Sequence, residues 1–295
     1  MTQAFSAIAQ AITQTLGKAF AITKVEPLSG GDINSAFCLK SADQQFFVKL
    51  NRPERIAMFE AEMAGLSALA ATKTLRVPKP VTVGQTNDHA FLVLEYLEFG
   101  PSGKQAERLL GQQLAQLHRQ PQAYFGWQCD NTIGSTPQIN THHSDWSLFW
   151  REQRLRFQLE LAAAHGYRGK LQELGDKLCN NLDKLLEDHH PQASLLHGDL
   201  WGGNAAVDQQ GLPVIFDPAC YFGDRETDLA MTELFGGFSR DFYAAYQDTW
   251  PLEAGYSFRK TLYNLYHILN HLNLFGGGYL RQAEQMLQSL LAEVR

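Results

Sequence analysis

The run Leu196-His197-Gly198-Asp199-Leu200-Trp201-Gly202-Gly203-Asn204 is followed by Val214-Ile215-Phe216-Asp217-Pro218. Together they supply a carboxylate at Asp199, an amide at Asn204 five positions later, and a second carboxylate at Asp217, 18 positions after the first. Phosphoryl transfer from a nucleotide calls for this set. One carboxylate takes or orients the proton of the attacking hydroxyl, while an amide oxygen and a second carboxylate hold Mg²⁺ against the phosphates. Asp and Asn also cap turns for purely local reasons, but residues upstream argue against that plainer account. Lys49 lies in the apolar run Phe46-Phe47-Val48-Lys49-Leu50, where an ammonium needs either solvent or a partner. Glu62, 13 positions on and inside a helix-forming stretch, can provide the partner and hold the lysine against the α- and β-phosphates of ATP. Glu60 is the rival for that role; two positions apart, the two acids differ by about 200° around a helix and cannot both face the strand.

Weaker signals surround this set. Gly30 and Gly31 allow backbone N–H groups to approach phosphate, although a hairpin turn explains them equally well. The backbone of Glu95 and Leu97, at the end of an apolar strand, can read an adenine edge. Trp201 either faces the acceptor or packs beneath the catalytic loop. His197 reads as an orienter of that loop. Asp228 either caps a helix or ties the loop down. The doublets His142-His143 and His189-His190 read as solvated loops without carboxylate companions, and Trp146, Phe149, Trp150 and Phe157 fall at helical spacing and read as core.

The elements that must position these residues divide the chain in two. Phe5, Ile8, Ile12 and Leu16 predict a leading amphipathic helix that stops at Gly17. Short β-prone runs at 21–25, 35–40 and 46–50 predict an antiparallel meander. A helix follows over 55–71, then extended chain over 77–83 and a strand over 91–96. At Phe99-Gly100-Pro101-Ser102-Gly103 the composition changes and helices take over, at 104–119, 146–164, 170–187, 228–235, 241–248, 258–273 and 278–294. In this half only 205–207 and 212–216 read as strands. The expected class is α+β with two lobes. Residues 1–97 form a small, nucleotide-binding β lobe with its leading helix, and residues 98–295 a larger helical lobe for catalysis and acceptor binding, with the ligand in the cleft between them.

Composition excludes several alternatives. The chain has 295 residues, 25 Lys and Arg against 31 Asp and Glu, and a net charge of −6, which argues against a phosphate-coating nucleic-acid binder. No apolar run reaches the ~18 residues of a membrane span. The opening residues lack the basic start of a secretory signal. Cys38, Cys129, Cys179 and Cys220 form no CxxC pair, as expected of reduced thiols without a zinc site or disulfide framework. The expected setting is cytoplasmic, with a small-molecule partner and no membrane; oligomeric state is not legible.

Asp199-x4-Asn204 matches the catalytic-loop spacing of protein kinases. From 47–69, through 125–140, 197–204 and 216–230 to 269–279, the chain resembles the fructosamine (ketosamine) kinases, within the protein-kinase-like group that includes aminoglycoside and choline phosphotransferases. Trp201 after HGDL is the discriminating residue. Asp32 stands where some relatives carry cysteine, and Leu272 where some carry an aromatic. The resemblance implies a two-lobe kinase-like fold and transfer of the ATP γ-phosphoryl to the 3-hydroxyl of a free or protein-bound ketosamine. The phosphorylated product then breaks down, releasing the free amine, so the activity amounts to deglycation repair. Asp199 would be the base and Asn204 and Asp217 the Mg²⁺ ligands. Lys49, set by Glu62, would clamp the phosphates, and Trp201 would face the substrate. A choline- or aminoglycoside-type phosphotransferase is the nearest alternative. A protein kinase fits less well, since Pro218-Ala219 replaces Phe-Gly, and a non-catalytic nucleotide-binding regulator would be expected to have lost at least one of these residues.

Overall fold

Phe46, Val48 and Leu50 alternate with Phe47 and Lys49, so an extended chain must send the two sets to opposite faces. The protein, in a computed structural model describing residues 2–29 and 33–294, uses this alternation to build its first lobe. Helix α1 (Thr2–Leu16) ends at Gly17 with φ +66° and is followed by β1 (Lys24–Leu28), β2 (Ser35–Lys40) and β3 (Gln45–Asn51). After α2 (Ile56–Ala71) come β4 (Pro80–Gln85) and β5 (Ala90–Glu95), and the five strands form one antiparallel sheet in the order β1-β2-β3-β5-β4. Phe46, Val48 and Leu50 bury against Ile8 and Ile12 of α1, which therefore covers the outer face. Lys49, paired in register with Leu92, belongs to the opposite face, beside α2. Both faces of the sheet are covered, which is why β3 and β5 read as nearly continuous apolar runs.

The helical lobe begins with α3 (Lys104–His118), then a small ribbon of β6 (Asn131–Ile133) and β7 (Thr136–Gln138). Helix α4 (Trp146–Trp150) passes through a π-helical turn (Arg151–Arg156) into α5 (Phe157–Ala164), and α6 (Lys170–Asn180) and α7 (Leu182–Leu185) follow. The chemistry-bearing stretch is two nested ribbons. Strand β8 (Ala193–Leu196) pairs with β11 (Tyr221–Asp224), and between them β9 (Ala205–Val207) pairs with β10 (Pro213–Ile215). Nesting forces the two connections, 197–204 and 216–220, to lie side by side. Helices α8 (Glu226–Leu234), α9 (Arg240–Thr249), α10 (Tyr256–Phe275) and α11 (Leu280–Glu293) complete the lobe. Helix α10 runs through its centre, burying Leu262, Tyr263, Leu265, Tyr266, Ile268, Leu269 and Leu272 in a core that extends back to Phe59, Leu66 and Leu69 of α2.

The structure corrects several boundaries. β1 starts at Lys24, not Ala21, and the helix expected over 170–187 breaks at Asn181. Asp228 is not a cap but lies inside α8, which begins at Glu226. Strands β6, β7, β8 and β11 were not expected; each has three or four residues, too few to display a period of two. His189 is not solvated. It is buried, with Nε2 2.6 Å from Asp224 and Nδ1 3.2 Å from Glu253. Among the described residues no helix is long and apolar enough to cross a membrane.

Candidate active site

The two side-by-side connections are laced together through their backbones. Phe216 N–H donates to the Asn204 carbonyl at 3.0 Å, and Ala219 N–H donates to the His197 carbonyl at 2.8 Å. His197 completes the lacing: its Nε2 lies 2.9 Å from the Phe216 carbonyl, and its Nδ1 accepts from Asp199 N–H at 3.3 Å. This pattern assigns the proton to Nε2. Burial holds the imidazole below its ordinary pKa, so it is neutral and acts as an orienter, as the sequence suggested. Gly198 is required between them. It has φ +82°, and a Cβ there would lie 2.1 Å from the Ala219 carbonyl oxygen.

Asp199 therefore sits on a fixed loop. Its Oδ2 accepts from Asn204 Nδ2 at 3.2 Å, and the same amide donates to the Asp199 carbonyl at 2.8 Å. Burial, then the nearby Asp217 charge, raise the Asp199 carboxyl from 3.8 to about 7, against the lowering effect of the Asn204 bond. Two neighbouring acids of this kind separate in role when only one is neutralised by a cation. That cation is Lys49: Nζ is 2.6 Å from Asp217 Oδ1 and 2.7 Å from Glu62 Oε1. Burial lowers the lysine's affinity for its proton, but the two carboxylates reverse this, and its pKa is raised. Glu60 is exposed on α2, so Glu62 is the partner.

Asn204 and Asp217 suit a hard divalent cation. Asn204 spends its Nδ2 on Asp199, and among the described residues its Oδ1 accepts no hydrogen bond, which leaves a neutral oxygen ligand. Asp217 is half exposed, has φ +58°, and among the described residues its Oδ2 accepts no hydrogen bond. An amide oxygen and a carboxylate oxygen are Mg²⁺-type donors. The cluster His189, Asp224 and Glu226 also has metal-like spacing. However, Asp224 already accepts from His189, Tyr263 and the Glu226 amide, and both Glu226 oxygens are taken by Arg259 at 2.6 and 2.8 Å. That cluster is a satisfied buried ion network.

The remaining expectations fall as follows. Glu95 uses its carboxylate structurally, accepting from Arg76 Nη2 and Lys79 N–H at 3.2 Å, while its own N–H donates to the Lys79 carbonyl. Leu97 is half-buried, and among the described residues its backbone makes no hydrogen bond, so it can still read a base edge. Gly30 and Gly31 lie outside the described residues. Trp201 is 38% exposed, meets Phe235 edge-on at 6.4 Å, and lays its indole against Gly203 of its own loop, where a Cβ would come within 2.3 Å of the ring. One support, Arg76, went unnoticed in the sequence, while Asp228 takes the second of its two expected roles and ties the catalytic loop down. Arg76 reaches from the first lobe to Asp208 Oδ2 at 2.9 Å, tying Glu95 to the β9–β10 turn. Buried Asp228 accepts both the His197 and Gly198 amides at 2.8 Å and lies 3.1 Å from His118 Nε2, which is 110 positions away in sequence. Burial alone would raise Asp228, but the His118 bond, the nearby His197 ring and the Gly198 amide hold it below the usual carboxylate value.

A five-stranded antiparallel lobe carrying a Lys–Glu pair, set on a helical lobe carrying an Asp–Asn–Asp set, defines a protein-kinase-like phosphotransferase. A choline kinase from Streptococcus pneumoniae, 16% identical with a TM-score of 0.65 over 98% of this chain and 99% of its own, shares that fold. The family model described as fructosamine kinase matches residues 4–293, and the chain belongs to that family. A candidate ketoamine kinase of Synechocystis is 50% identical over 96% of both chains. The chloroplastic protein-ribulosamine 3-kinase of Arabidopsis thaliana is 45% identical over 94% of this chain and 85% of its own. The crystal structure of a candidate fructosamine-3-kinase from Haemophilus somnus superposes with a TM-score of 0.89 at 30% identity, over 96% of both chains.

Proposed function

We propose that this protein transfers the γ-phosphoryl group of ATP to the 3-hydroxyl of a ketosamine, free or protein-bound, and so initiates release of the glycated amine. In this reading residues 1–97 form the nucleotide-binding lobe and 98–295 the catalytic and acceptor lobe. Asp199 receives the hydroxyl proton. Its raised affinity for a proton suits a base working near neutrality, and the His197, Gly198 and Asn204 contacts fix its direction. Lys49 holds the α- and β-phosphates, kept extended by Glu62. Asn204 and Asp217 hold Mg²⁺, which when bound neutralises phosphate charge. The backbone of Leu97, next to Glu95, receives the base, and exposed Trp201 lies against the acceptor; on the sequence alone, Gly30 and Gly31 are expected to serve the phosphates. A cytoplasmic setting suits four free cysteines.

The observation that carries this reading is the meeting of Lys49 with both Glu62 and Asp217, on a loop laced to that of Asp199. The test is ADP release in the presence of Mg²⁺ on a panel of fructosyl-lysine, ribulosyl-lysine, choline and an aminoglycoside. Turnover confined to the ketosamines is expected. Turnover on choline or the aminoglycoside alone would overturn the acceptor assignment, and ATP binding without turnover on any acceptor would overturn the catalytic one.

A further inference from the structure

Arg154, on the π-helical turn between α4 and α5, is fully buried and, among the described residues, has no acidic partner. Its guanidinium lies over the rings of Tyr221, Phe149 and Tyr266 at 4.2, 4.6 and 5.6 Å. Aromatic faces compensate only part of the cost of burying a charge. A hydrophobic side chain would fill the same space more cheaply, so core stability does not account for the arginine. Its hydrogen bonds do. Nη1 donates to the Ile139 carbonyl at 2.6 Å and the Gln153 carbonyl at 3.1 Å, and Nη2 donates to Asn140 Oδ1 at 2.8 Å.

A guanidinium has only donors, so it fixes which way every amide beyond it must face. Asn140 presents its oxygen to Arg154, and its Nδ2 then donates to Asn131 Oδ1 at 2.9 Å. Asn131 in turn sends its Nδ2 to the Cys220 carbonyl at 2.8 Å. Gln138 converges on the same place: it accepts from the Tyr266 hydroxyl at 2.7 Å and donates to Asn131 Oδ1 at 2.8 Å and the Ala219 carbonyl at 3.1 Å. Every member is buried, so no water can replace a lost partner cheaply. The relay ends two and three residues beyond Asp217, on the peptide that also bonds the His197 carbonyl and leaves no space for a Cβ at Gly198. Asp217 itself is a non-glycine residue at φ +58°, a conformation that persists only where the surroundings hold it.

We propose that Arg154 and Gln138 are positioning residues that, through this amide relay, lock the 217–220 peptide and so aim the Asp217 carboxylate. The proposal rests on the reading of Asp217 as a Mg²⁺ ligand. The experiment compares wild type with Arg154→Met and Gln138→Met, both unbranched replacements without donors. It measures thermal unfolding, calorimetric ADP affinity in EDTA and in Mg²⁺, and kcat. The expected result is folded variants whose metal-free ADP affinity stays within about twofold of wild type. Their Mg²⁺-dependent tightening of ADP and their kcat should each fall about 10- to 100-fold, the usual effect of removing support behind a metal ligand. Should Arg154→Met fail to fold, Gln138→Met, which removes the two bonds that amide donates and the one it accepts while burying no charge, carries the comparison. Folded variants that keep the wild-type Mg²⁺ response and kcat would overturn the relay. A wild-type protein whose ADP affinity ignores Mg²⁺ would overturn the metal role of Asp217 itself, and the relay with it.

Discussion

Asp199→Asn should stabilise the protein while disabling it, with the stability gain growing as pH rises. The carboxyl titrates at about 7 in the folded chain against 3.8 for an ordinary aspartate, because burial and the Asp217 charge both oppose ionisation. Between these values the folded state holds a proton that the unfolded state has released, so stability falls as pH rises through the interval. Below about pH 3 both states are protonated and there is no penalty. Above about 8 the whole of it applies. About three pH units at 1.36 kcal/mol each give a penalty of about 4 kcal/mol. An asparagine of the same shape carries no charge, can still accept from Asn204 and escapes the penalty. Urea unfolding of wild type and variant from pH 4.5 to 8.5 should give curves about 1 kcal/mol apart at the acid end that separate to about 4 kcal/mol at the alkaline end. Turnover of the variant should fall about 10²- to 10⁴-fold, the cost of losing a positioned base. A variant no more stable than wild type at pH 8, or a gap that does not narrow on acidification, would refute the electrostatic argument.

Other expectations follow from the same geometry. Lys49→Met leaves Glu62 buried beside an apolar side chain and should cost about 3 kcal/mol in unfolding free energy and most of the ATP affinity, measured by urea titration and calorimetry. Gly198→Ala places a methyl group against the Ala219 carbonyl, so kcat should collapse while circular dichroism remains that of the folded protein. Trp201→Ala, at an exposed position, should move stability by less than about 0.5 kcal/mol yet raise KM for the ketosamine and leave KM for ATP unchanged; a large loss of stability would show a packing role instead.

The site was legible in the sequence where chemistry and spacing coincide. Asp199, Asn204 and Asp217 stand on two short connections whose separation reflects the hairpin between them. Lys49 was conspicuous because a cation in an apolar strand needs a partner; the helical period showed that only one of Glu60 and Glu62 could supply it, and the fold selects Glu62. What escaped notice was support from distant residues. Asn131, Gln138 and Asn140 have the composition of a surface loop, yet they are buried, satisfied by one another and by Arg154. His189 and His118 have no local companion either; their carboxylates, Asp224 and Asp228, are 35 and 110 positions away. A buried polar group declares itself through its partner, and pattern along the chain cannot supply a partner that the fold brings from elsewhere.

The central claim concerns where the phosphate goes. ³¹P NMR of the protein with Mg-ATP and a glycated lysine should show a new sugar-phosphate resonance coupled to the proton on carbon 3, growing as the γ-phosphate signal declines and followed by free lysine. Loss of the γ-phosphate signal to inorganic phosphate alone, or a phosphate ester on any other hydroxyl, would contradict it.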